Sequence, residues 1–263
     1  MDHRFGDLLR HWRGIRRFSQ MELALAAGVS TRHLSFVETG RSRPGRGLVL
    51  RLAEALDLPL RHVNSLLVAA GYAPRYTVWS LDDDPTGIVR AALDRMLTRH
   101  EPDPAFVTTR DYDVIMTNEG TRRLLSWLTD GDDLLTRRAN TYRLLFADDG
   151  LRPYLKNFEQ LQPILLKRLH EEGIRYQSDG LLRLYEECAA LVSPHSALET
   201  DPGETSIPVV TLGLLKDDVE LRFLSTVAIF GTAVDVTTEE LRIECLLPAD
   251  EATRRFVEGA IAR

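Results

Sequence analysis

The side chains best suited to binding chemistry lie near the start of the chain. Thr31, Arg32 and Ser35 are short or cationic, and at about 100° per residue they share one face of a helix that begins after Ser30. Arginine donates to the acceptors of guanine, while serine and threonine hydroxyls contact either kind of base pair in the major groove. The spacing therefore predicts a helix face that reads the base edges of duplex DNA.

Four further side chains are placed to contact the DNA backbone. Gln20 lies in the first turn of the preceding predicted helix, where helix-turn-helix proteins meet the phosphates. Arg41, Arg43 and Arg46 lie in the segment RSRPGRG, whose proline and glycines predict a solvated loop that neutralises phosphates. These contacts are expected to supply affinity rather than sequence preference.

Five short amphipathic helices are predicted to hold these residues. Ser19 and Glu22 form a capping box that starts the second helix, and Gly28 suits the left-handed conformation that ends it. Ser30 then caps the third helix, so only a three-residue turn separates the two helices, as in a helix-turn-helix. Apolar residues at helical spacing predict the core, among them Phe5, Leu9, Trp12, Leu34, Val37, Leu52 and Leu66.

The distribution of charge agrees with a local nucleic-acid footprint. Residues 1–75 contain twelve arginines, no lysine and six acidic residues, which gives this part a net charge of +6. The remainder carries −12, although the whole chain carries only −6. A basic first third joined to an acidic remainder favours DNA binding by the first third alone.

These motifs resemble those of a known family. The segment FSQMELALAAGVSTRHLSFVETGRSRP, followed by LVLRLAEALDLP, resembles the lambda-repressor-like, XRE-type helix-turn-helix family in its S-Q-x-E-L-A, A-G-V-S and E-x-G motifs. The resemblance covers about Met1 to Gly71 and implies an all-α, five-helix DNA-binding domain at residues 1–71. Each signal alone also suits a structural helical hairpin with a solvated arginine loop. Because one such domain contacts few base pairs, a homodimer on a double-stranded DNA operator is expected.

The chain then changes character. Residues 72–100 are predicted to be a linker and a connecting helix, which starts at Asp84 and Pro85. Residues 101–263 are predicted to form an α+β domain of about five antiparallel strands with inserted helices. Its predicted strands cover 105–109, 114–117, 208–215, 219–230 and 240–247, its predicted helices cover 151–171 and 180–191, and Asn118 is predicted to cap a further helix.

This second domain carries a second resemblance. The order strand, turn, strand, Asn, helix is how PAS-type sensor domains begin, and the segment NTYRLLFADDGLRPY after it resembles the MmyB-like transcription regulators. That resemblance implies a PAS-like domain that holds a long-chain fatty acid or a similar apolar ligand, and hence a ligand-responsive regulator. The alternative is a DNA-bound scaffold whose second domain serves only dimerisation or protein association.

Three residues are candidates for the ligand site. Asn140, Arg143 and Phe146 recur at three-residue spacing, and an arginine on a cavity wall suits bidentate binding of a carboxylate. The alternative for Arg143 is an ion pair with Asp148 or Asp149, or a place on a solvated face. Apart from a bound fatty acid or other lipid-like ligand, no cofactor is expected.

Other classes of function lack their signatures. The 263 residues are 44% hydrophobic and 27% charged, which is typical of folded domains, and the two cysteines are too few for a disulfide framework or zinc knuckle. There is no nucleophile elbow, phosphate loop or HExxH motif, so neither enzyme activity nor a metal site is expected. Without an apolar run of about 18 residues or a signal-type start, the chain is expected to be cytoplasmic and not to associate with membranes.

Overall fold

The computed structural model describes residues 4–83, 87–131, 133–192 and 210–261. The chain forms two compact units. The first comprises Met1–Asp83 together with Gly231–Glu239, and the second comprises Asp84–Phe230 together with Glu240–Arg263. No helix among the described residues is long and apolar enough to cross a membrane.

The first unit is helical, as predicted. Ser19 and Glu22 form the capping box of the second helix, and the Ser30 hydroxyl accepts from the backbone N–H of His33 to start the third. Gly28 has a φ of 66°, the left-handed conformation that the turn between these helices requires. The helices are α1 (Arg4–Ile15), α2 (Gln20–Ala26), α3 (Thr31–Glu38), α4 (Arg46–Ala55) and α5 (Leu60–Ala69).

One apolar core joins the five helices. Trp12 from α1, Leu23 from α2 and Leu34 from α3 are fully buried within it. Leu52 and Leu66 complete the core from α4 and α5, so every helix buries one apolar stripe. The predicted all-α unit and its helix-turn-helix are confirmed.

The second unit is α+β, as predicted. Its five strands form one antiparallel sheet in the order β2-β1-β5-β4-β3. The strands are β1 (Ala105–Thr108), β2 (Val114–Thr117), β3 (Leu212–Lys216), β4 (Val219–Ile229) and β5 (Arg242–Pro248). The helices are α6 (Ile88–Arg99), α7 (Glu119–Leu128), α8 (Leu134–Arg137), α9 (Thr141–Phe146), α10 (Phe158–Arg175), α11 (Asp179–Ala190) and α13 (Glu251–Phe256). A further helix, α12 (Val236–Glu240), follows β4 and precedes β5 in the chain.

The register of the central strands gathers one set of side chains on one face of the sheet. Glu244 on β5 lies opposite Phe106 on β1 and opposite Val227 on β4. Ser225 lies opposite Leu246, two residues further along each of these two strands. Because side chains alternate between the two faces of a strand, these five residues share a face.

Several predicted boundaries need correction. Residues 151–171 form a 3-10 turn (Arg152–Tyr154) and then α10, because the chain pairs with β3 at Leu155 between the two. The predicted strand 208–215 begins at Leu212 in the structure, and residues 208 and 209 lie outside the described residues. The predicted helix start at Asp84 and Pro85 also lies outside them, and the described helix begins at Ile88 after Gly87.

Candidate functional site

The predicted base-reading residues share the outward side of α3. Thr31 and Arg32 are exposed and Ser35 is half-buried, whereas Leu34 and Val37 are buried in the core. We call Thr31, Arg32 and Ser35 the recognition face. Since α3 is held by its buried side, the orientation of this face is fixed by the core of the first unit.

The arginines around the recognition face have no acidic partner among the described residues. The guanidinium groups of Arg32 and Arg41 lie over the ring of Phe36, at 5.4 and 6.0 Å from its centroid. Arg46 is exposed at the first position of α4. These three cations are therefore available to a polyanion.

Arg43 has a different environment from the other two arginines of its segment. Its Nε and Nη2 atoms donate to the carbonyl oxygen of Ala70 at 3.2 and 3.0 Å, and its guanidinium lies 5.7 Å from the ring centroid of Tyr72. Ala70 is the C-cap of α5. Arg43 thus joins the segment after α3 to the end of α5.

Gln20 belongs to a buried polar cluster that joins three helices. Its Nε2 atom donates to a carboxylate oxygen of Glu38 at 2.6 Å. Arg13 on α1 donates to both oxygens of the same carboxylate, at 2.7 and 3.2 Å. The side chain of Glu38 is fully buried and that of Arg13 is 20% exposed. Sequence reasoning missed this cluster, since a glutamate and an arginine 25 residues apart carry no pairing signal.

Because α1 and α3 approach closely at Gly6, alanine substitutions at two glycines of α1 should have very different effects on stability. A Cβ atom on Gly6 would lie 2.7 Å from the carbonyl carbon of Glu38 and closer still to its oxygen, whereas a Cβ on Gly14 would meet nothing within 4 Å. We expect Gly6→Ala to destabilise the first unit by about 1–3 kcal/mol, because backbone must move to admit the methyl group. Chemical denaturation followed by circular dichroism measures this change.

Gly14→Ala is the matched control for Gly6→Ala. Gly14 also lies in α1, where alanine favours the helix by up to about 1 kcal/mol, so no loss of stability is expected. Equal stabilities of the two variants would contradict the close packing of α1 on α3.

The second unit contains a cavity of about 480 Å³ between the sheet and the helices. Its volume is within the range of small-molecule sites, and its wall is mainly apolar. From the sheet, the lining residues include Phe106, Val114, Leu212, Leu214, Ser225, Val227, Glu244 and Leu246. From the helices, they include Leu124, Leu125, Leu128, Leu135, Tyr142, Leu144, Leu145, Leu161, Ile164, Leu165 and Arg168.

The exposed members of this lining indicate where the cavity opens. Ile164 and Arg168 on α10, and Ser225 and Val227 on β4, are exposed to solvent. The leucines from α7 and α9 are buried or half-buried. The cavity therefore opens between α10 and β4 and is apolar at its inner end.

Arg168, at this opening, belongs to a charged cluster with Glu172 and Arg242. The carboxylate of Glu172 accepts from Arg242 Nη2 at 2.8 Å, from Arg168 Nε at 3.1 Å and from the hydroxyl of Tyr112 at 2.9 Å. Burial alone would raise the pKa of the Glu172 carboxyl, but Arg242 and Arg168 outweigh it and hold that pKa below its ordinary value. Glu172 is therefore ionised at neutral pH.

Glu244 lies on the cavity wall next to this cluster. Burial raises the pKa of its carboxyl above the ordinary value, and Arg168 and Arg242 oppose that shift only in part. Burial likewise raises the pKa of the Tyr112 hydroxyl to about 12, so this group is uncharged at neutral pH. Sequence reasoning singled out neither Arg168 nor Glu244, although the alternation along β5 places Glu244 on the same face as Leu246.

The three residues predicted for the ligand site lie elsewhere in the second unit. Asn140 caps α9 and donates to Asp113 at 2.8 Å, and Phe146 is fully buried behind Tyr142, on whose ring it stacks, and does not line the cavity. Arg143 forms an exposed ion pair with Glu187 at 2.8 Å, rather than with Asp148 or Asp149. The same helix does contribute to the cavity, through Tyr142, Leu144 and Leu145.

The connection between β4 and β5 is part of the first unit. The N–H of Val236 donates to the carbonyl of Thr77 at 3.0 Å, and the hydroxyl of Thr237 both accepts from and donates to the backbone of Trp79. The carboxylate of Glu239 accepts from the N–H of Leu60, the first residue of α5, at 2.8 Å. Both β4 and β5 contribute to the cavity wall, and the chain between them is thus bound to α5 and to the segment after α5.

The described residues contain no group of three or more metal-binding side chains that could hold an ion. Both cysteines are buried, and burial raises the pKa of the Cys188 thiol to about 12. This shift makes Cys188 a poor nucleophile.

A helix-turn-helix with unpaired arginines, joined to a unit with an apolar cavity, defines a ligand-responsive transcription regulator. Comparison with protein families agrees: residues 4–66 match a helix-turn-helix domain, and residues 89–259 match the MmyB-like transcription regulator ligand binding domain. The chain belongs to the MmyB-like transcription regulators. No match to a curated protein was found.

Proposed function

We propose that this regulator binds a specific operator through the recognition face and binds a fatty acid or another acyl compound in the cavity. The proposed ligand class rests on the cavity, which is apolar at its inner end and charged at its opening. Such a wall suits an amphiphile whose tail lies among the leucines and whose head stays near solvent. Each buried methylene contributes about 0.8 kcal/mol, so a long tail would dominate the affinity.

The alternative of a scaffold without a small ligand explains less of the structure. A unit used only for association has no need of an open internal cavity, because close-packed cores are more stable than hollow ones. Mass spectrometry of an organic extract of the purified protein, together with titration of dodecanoate, separates the two functions. We expect a co-purified acyl compound or binding of dodecanoate, and the scaffold predicts neither.

We infer that the DNA complex is a homodimer, because one recognition face contacts too few base pairs for useful specificity. The phosphate contacts in this complex are assigned to Arg41 and Arg46, and Gln20 is assigned a backbone contact next to Glu38. Arg43 is assigned the role of linking the segment after α3 to the end of α5, in place of the phosphate contact predicted from the sequence. The segment 231–239, which connects β4 to β5, offers a route by which a ligand in the cavity alters the first unit.

Two arginines should give different losses of DNA affinity. We expect Arg32→Ala to weaken binding to the preferred duplex by about 1–3 kcal/mol and to relax base preference, because it removes a donor to a base edge. Arg41→Ala should weaken binding to all sequences alike. It should also reduce the slope of log affinity against log salt concentration by about one, because one fewer counterion is released. Selection from a random DNA pool, followed by fluorescence anisotropy titrations, supplies the duplex, the affinities and the number of chains per site.

Equal losses for Arg32→Ala on selected and random DNA would contradict the assignment of the recognition face. One chain bound per selected site would contradict the homodimer. Both variants are expected to fold, since neither side chain is buried in the core of the first unit.

A further inference from the structure

Without Glu244, the charged cluster of Arg168, Glu172 and Arg242 has one more positive than negative charge. Arg168 and Arg242 are both cationic, and Glu172 is the single ionised acid that bridges them. The hydroxyls of Tyr112 and Tyr142 are uncharged near neutral pH, since burial raises the pKa of each. The charge of the cluster therefore depends on Glu244: ionised Glu244 makes the cluster neutral, and protonated Glu244 leaves it positive.

Arg168 has hydrogen-bonding capacity left for a ligand. Its Nε atom donates to Glu172, while its two terminal nitrogens have no hydrogen-bond partner among the described residues. The side chain lines the cavity and is 43% exposed at the opening. A planar guanidinium with both terminal nitrogens open suits an oxyanion with two acceptor oxygens.

We propose, building on the proposed ligand function, that a ligand oxyanion binds the terminal nitrogens of Arg168 and that Glu244 takes up one proton as it binds. The proton comes from solvent and goes to a carboxylate oxygen of Glu244, and no covalent bond of the ligand changes. In the empty cavity the Glu244 carboxylate balances the extra positive charge, and the ligand oxyanion replaces it. The ligand class is thus an amphiphile with a single oxyanion head, such as a carboxylate.

The exchange of charge fixes the direction of the pH dependence. Burial has already raised the pKa of Glu244, and a neighbouring anion raises it further. Below the pKa of the empty form Glu244 is protonated, so the affinity for an ionised ligand does not vary with pH. Between that pKa and the higher pKa of Glu244 in the complex, each binding event takes up a proton, and the affinity falls about tenfold per pH unit.

The neighbouring groups do not produce this pH dependence. On α10 these are Arg168 and Glu172, of which the arginine stays charged and the glutamate has a lowered pKa. Arg242 on β5 stays charged, and the pKa values of Tyr112 and Tyr142 are raised. The two residues of β4 next to Glu244, Ser225 and Val227, carry no charge. The change in affinity with pH is therefore assigned to Glu244.

The test compares dodecanoate with 1-dodecanol on the full chain. Dissociation constants from pH 6 to 10, and calorimetry in buffers with different heats of ionisation, measure proton uptake. Between the pKa of Glu244 in the empty chain and its higher pKa in the complex, we expect uptake that approaches one proton per dodecanoate, and none for 1-dodecanol. Glu244→Gln should bind dodecanoate with no proton uptake and no dependence on pH. Binding of dodecanoate by the unaltered chain without proton uptake would overturn this inference.

A second pair of variants tests the role of Arg168. Arg168→Gln should lower the preference for dodecanoate over 1-dodecanol about tenfold, because a charge-assisted hydrogen bond is lost. Lys167→Gln removes the same charge from the next residue of α10, which does not line the cavity, and should leave the preference unchanged. Equal effects of the two substitutions would contradict the site. If neither probe binds any form of the chain, the proposed ligand function fails as well; if both bind without proton uptake, only the present inference fails.

Discussion

Glu38→Ala is expected to destabilise the first unit by about 3–5 kcal/mol, the largest effect of any single substitution considered. The carboxylate of Glu38 is fully buried and accepts from Arg13 and Gln20, so its removal leaves a mostly buried guanidinium without its counter-charge. A small domain is stable by only about 5–15 kcal/mol, so this loss is a large fraction of its stability. Amide hydrogen exchange resolved along the chain should show lost protection in α1 to α5 and unchanged protection in the sheet.

Glu54→Ala is the matched control for Glu38→Ala. Glu54 lies on α4 in the same unit and is exposed, so the same substitution should change stability by no more than about 0.5 kcal/mol. DNA affinity should fall with Glu38→Ala and persist with Glu54→Ala. Full protection of α1 to α3 in Glu38→Ala would show that the buried cluster does not hold the recognition face.

Closing the cavity is expected to cause the largest loss of ligand affinity. Ile164 on α10 and Val227 on β4 are lining residues at the opening, 43% and 40% exposed. In the double variant Ile164→Trp, Val227→Trp, two indoles would occupy the space of several ligand methylenes. Loss of about four buried methylenes corresponds to about 3 kcal/mol, or more than a hundredfold in the dissociation constant of dodecanoate, measured by calorimetry.

The same helix and the same strand offer the control for this variant. Ile174 on α10 and Ile229 on β4 are 50% and 67% exposed and lie outside the cavity lining. The double variant Ile174→Trp, Ile229→Trp should bind dodecanoate as the unaltered chain does. Similar affinities for the two double variants would show that the ligand does not enter the cavity between α10 and β4.

The helix-turn-helix was predictable because its signals are local. Ser19 with Glu22, the turn at Gly28, and the cap at Ser30 are short-range patterns, and the structure has all three where the sequence places them. The strand pair before Asn118 was predictable for the same reason, since a short polar turn joins the two strands. The PAS-like description of the second unit stays a prediction.

The polar sites were not predictable because their partners are distant in sequence. Glu38 on α3 contacts Arg13 on α1, and Glu172 contacts Arg242, which lies 70 positions later in the chain. Arg143 was singled out by its local spacing, but spacing along one helix does not reveal that Glu187 lies opposite. Apolar spacing predicts burial equally for a filled core and for a cavity wall, so the cavity itself required the tertiary structure.

The most direct test of the central claim is the DNA affinity of the full chain with and without a cavity ligand. Protein freed of lipid on a hydrophobic resin is titrated onto its selected duplex at fixed salt, alone and with saturating dodecanoate. We expect a change in affinity of at least about fivefold, the usual lower range of allosteric coupling, and no change for the double tryptophan variant at Ile164 and Val227. Equal affinities with and without dodecanoate, in a chain shown by calorimetry to bind it, would contradict a regulator whose DNA binding responds to that ligand.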